Sequence, residues 1–119
     1  MAAPNLVNTS AIYGKTAVQA VGLSATAILS NASGSGKVLK VNTLSIANVD
    51  GAAAADITAD LFRSGVPYRI AYTISVPADS TLVLVSKDSA IYLEEGDSIR
   101  LAASAVGDLE AICSYEELA

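Results

Sequence analysis

Between Tyr68 and Val76 the chain alternates: Tyr68, Ile70, Tyr72, Ile74 and Val76 are apolar, with Arg69, Ala71, Thr73 and Ser75 between them. A two-residue period sends successive side chains to opposite faces of an extended chain, whereas a helix needs apolar residues every three or four. The alternation predicts a strand with one buried face, Tyr68 and Tyr72 packing inward beside Ile70. Pro77 ends it, because proline has no amide proton to give to a ladder. No helical period runs through the rest of the sequence, so the fold must be built from strands.

In chain order, residues 1–14 read as an extended N-terminal arm. Pro4, Asn5, Asn8, Thr9, Ser10 and Gly14 are loop formers, and Leu6, Val7, Ile12 and Tyr13 are apolar anchors. Residues 15–119 read as one domain. Lys15–Val21 and Leu23–Ser30 are expected strands about a bend at Gly22, followed by a turn at Asn31–Gly36. In Lys37–Val49 the apolar side switches from odd positions (Leu39, Val41) to even ones (Leu44, Ile46), so a bulge is expected at Asn42-Thr43. After Asp50-Gly51 and the Ala52–Ala55 run, Ile57, Ala59 and Leu61 read inward, and Asp56, Thr58 and Asp60 outward.

Ser64–Pro67 reads as the turn leading into Tyr68–Val76. Thr81–Ser86 is apolar at both parities, which predicts a strand buried on both sides. Ile91–Leu93, Ser98–Ala103 and Leu109–Tyr115 follow, with Glu116-Glu117 as a charged tail. Short strands with turns roughly every 8–12 residues predict an all-β fold, a single antiparallel β-sandwich. Jelly-roll and Ig-like strand orders both fit the pattern.

A chain of 119 residues is long enough for one core without disulfides. Its surface is short of charge: 16% of residues are charged and 52% hydrophobic, with a mean hydropathy of +0.47, against about 25% charged in an average soluble domain. Obligate interfaces are depleted in charge in the same way, so part of this surface is expected to lie against other subunits. Residues 1–49 carry +3 and residues 50–119 carry −8, together −5. A weakly basic front against an acidic body suits head-to-tail contact between neighbouring copies, with a chance distribution the equal alternative. An acidic chain lacks the basic stripe that phosphate backbones require, so no nucleic acid is expected as partner. No apolar run approaches the roughly 18 residues of a membrane span, and Met-Ala-Ala-Pro-Asn resembles no secretion signal. Synthesis in a cytosol is the expectation.

The chemistry-bearing residues are few. With no histidine, imidazole-based triads and His-containing zinc sites are excluded; Cys113, the only cysteine, allows no intrachain disulfide and reads as a small buried hydrophobe. Ser33-Gly-Ser-Gly-Lys37 resembles part of a phosphate loop but has Asn31 where glycine belongs and Val38 where a hydroxyl belongs. Glu94, Glu95 and Asp97 cluster as calcium ligands do, but a solvated turn explains them as well, and their spacing matches no calcium loop; Asp50, Asp56 and Asp60 have the same two readings. No catalytic residue, metal, cofactor or small-molecule substrate is assigned. Leu6, Val7, Ile12, Tyr13 and Tyr115 are the expected subunit contacts, with edge packing the alternative for the two tyrosines.

Four runs carry a resemblance: Lys37–Gly51 (KVLKVNTLSIANVDG), Ile74–Val83 (ISVPADSTLV), Ile91–Ile99 (IYLEEGDSI) and Ser114–Leu118 (SYEEL). Together, over residues 35–119, they resemble a family of small β-rich virion proteins of tailed bacteriophages, particularly those infecting cyanobacteria and other marine bacteria. The resemblance implies a non-enzymatic particle component, made in the host cytoplasm and built into the virion in many copies. The first expectation is a capsid decoration or cement protein bound to the major capsid protein or other virion proteins, with self-association. A neck, tail or fibre protein forming a ring or trimer is the alternative. A carbohydrate-binding module on the same sandwich comes third, weakened by the absence of tryptophan.

Overall fold

The structure, a computed structural model, describes residues 4–119. Among these residues nine strands run β1 (Ile12–Ala20), β2 (Thr26–Ser30), β3 (Val38–Asn48), β4 (Ala55–Arg63), β5 (Val66–Val76), β6 (Thr81–Val85), β7 (Ile91–Leu93), β8 (Ser98–Ala103) and β9 (Leu109–Leu118). One antiparallel sheet, here sheet A, has the order β1-β9-β3-β6, with β7 also paired to β3; sheet B has the order β2-β8-β4-β5. Successive strands mostly change sheet; the β4–β5 hairpin and the step from β6 to β7 are the exceptions. This is the jelly-roll order; an Ig-like sandwich would keep its first two strands together in one sheet.

The core lies between the sheets and is aliphatic. Val41, Leu44, Ile46, Ile57, Leu93, Ile99, Leu101 and Cys113 are fully buried, and each large side chain among them contributes about 1.5–3 kcal/mol. The switch of parity in β3 takes the expected form. The register with β9 slips between Val41 and Thr43, so Asn42 is the extra residue and Leu39, Val41, Leu44 and Ile46 all reach the core. Ser64 and Gly65 (φ 53° and 77°) form a two-residue hairpin loop of positive φ, and Arg63 pairs with Val66 directly across it. Val66 and Pro67 therefore belong to β5, an edge strand that tolerates proline.

Several expectations need correction. Tyr68 and Tyr72 do not pack inward; they are 56% and 62% exposed. The β4–β5 register slips between Ile57 and Ala59 and again between Ala59 and Asp60, so Ala71 and Val76, of opposite parity, are the residues that reach the core. Thr81–Val85 is not buried on both sides, because it lies at the edge of sheet A with Val83 exposed. Asp60 faces outward as expected but is buried, capped by Arg69 Nη1 at 2.8 Å. Strand β1 begins at Ile12 rather than Lys15, and β9 continues through Glu116 and Glu117, because both β1 and β3 offer them ladder partners.

Candidate functional site

The outer face of sheet A leaves a row of apolar side chains uncovered. Even-numbered residues of β1 and β9 point away from the core, since Ala17, Ala111 and Cys113 point into it. Register then aligns Val18, Ile112, Ser45 and Val83 in one row across four strands. Ala20, Glu110, Ala47 and Thr81 form the next row, and Thr16, Ser114 and Thr43 the row on the other side. Val18 is 73% exposed, Ile112 50% and Val83 60%. Of these eleven positions only Glu110 is charged. A shallow hollow of about 360 Å³ runs between Val18, Ala47 and Ile112. Such a patch of branched apolar and short hydroxyl side chains suits flat protein–protein contact.

The arm extends this same face. Asn5 Oδ1 accepts from the Val7 amide and opens a short 3-10 turn over Leu6–Asn8. The Ser10 and Ala11 amides then donate to the Ala119 carbonyl, and the Ala119 amide donates back to the Ala11 carbonyl. Pro4, Leu6, Val38, Tyr92 and Glu94 line a second hollow of about 270 Å³. Leu6, Val7, Ile12 and Tyr13 are all exposed, and Ile12 lies on the outer face in register with Leu118. Tyr115 differs: it is half-buried against the core and pairs with Lys15. Residues 1–3, part of the expected arm, lie outside the described residues.

Sheet B is covered differently on its outer side. Arg100 stacks over Phe62 at 3.9 Å and Arg69 over Tyr72 at 4.9 Å, with Asp60 opposite both arginines in register. These side chains cover part of their own sheet, while Tyr68 and Tyr72 stay largely exposed.

The carboxylates of Glu94, Glu95, Asp97, Asp50 and Asp60 are engaged within the protein. Arg63 Nε donates to Asp97 Oδ1 at 2.8 Å, Arg63 Nη2 donates to Asp97 Oδ2 and to Glu94 Oε2, and the Glu94 amide donates to Asp97 Oδ2 at 2.9 Å. Burial pushes the Asp97 carboxyl up, but Arg63 and the Glu94 amide outweigh it and hold it below the usual carboxylate range. Glu95 Oε2 accepts from the Gly36 amide at 2.6 Å, which ties down the glycine-rich turn. Asn31, buried beneath that turn, donates to the Lys37 and Leu93 carbonyls and accepts from Ser35 Oγ. Glu117 takes Lys37 Nζ at 2.8 Å and Lys15 Nζ at 3.1 Å, and the two ammonium groups lower its carboxyl. Asp50 Oδ1 accepts from the Ala52 amide. Among the described residues no cluster of three or more metal-ligating side chains is formed.

Sequence reasoning missed the outer face because its residues come from four separate strands. Only the register between them, set partly by the Asn42 bulge, brings them into one row.

No protein-family model matches the chain, and no curated protein matches it. Its fold is similar to a solved structure from work on Bacillus endospore appendages, described as a novel family of disulfide-linked pili. The TM-score is 0.53 at 12% sequence identity, covering 91% of this chain and 86% of that one.

Proposed function

We propose that the chain is a non-catalytic structural subunit of a tailed-phage virion that binds the outer head surface in many copies, contacting the major capsid protein or other virion proteins. The observation that carries this reading is the bare outer face of sheet A, with Val18, Ile112 and Val83 exposed in one row and a single charge among eleven positions. A surface of that kind is covered in use more often than left in water. The arm supports the reading because Leu6, Val7 and Ile12 add apolar side chains at one end of the same face. The resemblance over residues 35–119 supplies the virion. The role involves no turnover, which fits carboxylates held by arginine, lysine and backbone amides and a single cysteine sealed in the core. The disulfide linkage described for the similar pilus structure finds no exposed thiol among the residues here, so we assign assembly to non-covalent contacts.

The experiment is attachment with and without the arm. Deleting residues 2–9 keeps Ser10 and Ala11, whose amides bond Ala119, and leaves β1 whole. The shortened chain is expected to fold, by circular dichroism, but to lose occupancy on undecorated capsids. Unchanged occupancy would overturn the role given to the arm. A stable ring in solution that ignores capsids would move the protein to the neck or tail.

A further inference from the structure

We propose that β1 is the contact through which two copies of this chain pair, antiparallel and about a two-fold axis at Thr16, so that sheet A continues from one copy into the next. The proposal goes beyond the virion reading and needs only a second copy.

Both sheets leave open edges. A sheet edge presents unpaired amides and carbonyls, and monomeric proteins blunt it with short strands, bulges, prolines or charge. Four strands here are blunted in that way. β2 has five residues and a register slip, and Gln19 Nε2 donates to its Ala27 carbonyl at 3.1 Å. β5 carries Pro67, two slips and Thr73 at φ 46°. β6 has five residues and a slip, and β7 has three residues. β1 is neither short nor bulged. It runs nine residues in unbroken register with β9, without proline, and its single charge, Lys15, is drawn to Glu117 on the neighbouring strand.

What pairs with it follows from its own side chains. Antiparallel pairing centred on Thr16 sets Ile12 opposite Ala20, Tyr13 opposite Gln19, Gly14 opposite Val18, and Lys15 opposite Ala17. Each large side chain then faces a smaller or flexible one, and no like charges meet directly. Val18, the most exposed residue of the outer row, comes beside the second copy's Gly14, where nothing lies within 4 Å of the position a Cβ would take. On the other face Tyr13, itself exposed, comes against the second copy's Gln19, whose amide reaches toward β2. Nine residues paired this way exchange about eight to ten backbone hydrogen bonds. The two outer rows join into one longer apolar stripe.

The test uses the full chain. Light scattering is expected to give twice the 12.1 kDa chain mass. Thr16 is exposed, so Thr16→Lys should fold by circular dichroism while setting two ammonium groups opposite each other at the axis. That variant is expected to be monomeric, Thr16→Glu likewise, and an equimolar mixture of the two to recover the doubled mass. As an independent readout, Thr16→Cys should cross-link to itself on mild oxidation, because Cα atoms paired across the axis lie about 4.5–5.5 Å apart, within disulfide range. Val83→Cys, on the opposite edge of the sheet, should not. A wild-type monomer, or cross-linking no faster at position 16 than at 83, overturns the proposal without bearing on capsid attachment. A mass that grows with concentration, with a disulfide joining position 16 of one copy to position 83 of the next when a chain carries both substitutions, overturns it in favour of an open head-to-tail ladder.

Discussion

Arg63, the last residue of β4, grips Asp97, in the turn before β8, through two parallel hydrogen bonds, Nε to Oδ1 at 2.8 Å and Nη2 to Oδ2. The two ends differ in what happens when the other is lost. The Arg63 side chain is 40% exposed and can turn to water, whereas that of Asp97 is 1% exposed and cannot. Arg63→Ala is therefore expected to cost more at pH 7, about 3 kcal/mol for a buried carboxylate left with one amide donor, than Asp97→Asn, about 2 kcal/mol. Urea unfolding of both variants checks the order, and the reverse order would contradict it.

The acid limb of stability follows from the same pair and from Glu117. Both carboxyls sit below their ordinary values in the folded chain. Their stabilisation is thus complete above the unfolded value of about 4 and is lost as pH falls through the folded values. The chain has no histidine, so no side chain of ordinary pKa titrates between pH 5 and 8. Melting temperature should be nearly level over that range and fall below about pH 4, and Asp97→Asn should flatten part of that fall.

Cys113 is fully buried, and burial pushes its thiol up to about 11. A neutral thiol with no access to solvent is a poor nucleophile. Native protein is expected to resist a thiol reagent at pH 8 for as long as it stays folded, and to react at once in urea. Rapid labelling without denaturant would contradict the placement of β9 in the core.

The proposed contact on the outer face of sheet A can be tested apart from folding. Val18, Ile112 and Val83 touch solvent rather than the core, so replacing all three by threonine should leave stability within about 1 kcal/mol. Capsid occupancy should fall sharply in the same variant. Wild-type occupancy would remove the face from the contact.

Much of the fold is legible in the sequence, and the failures have definite causes. The parity switch around Asn42 reveals its bulge because Leu39, Val41, Leu44 and Ile46 are all large and must all be buried. β5 misleads because its tyrosines and isoleucines alternate so regularly. Two bulges turn Tyr68 and Tyr72 outward and bring Ala71 into the core, while Val76 is buried as expected, and nothing in residue type marks the bulges. Thr81–Val85 reads as buried on both sides, yet apolar residues at both parities also suit an edge strand with one face on the core and one exposed for contact. Glu116 and Glu117 read as a tail because their ladder partners in β1 and β3, and the Lys15 and Lys37 that pair with Glu117, lie far away in sequence. For the same reason the candidate site stays hidden: Val18, Ile112 and Val83 meet only through strand order.

The most direct test of the proposed role is sedimentation of the purified full chain with undecorated capsids of a tailed phage of the kind the sequence resembles. The account predicts saturable co-sedimentation in hundreds of copies per head, lost on deleting residues 2–9 and on replacing Val18, Ile112 and Val83. A chain that stays in the supernatant at saturating concentration would contradict it.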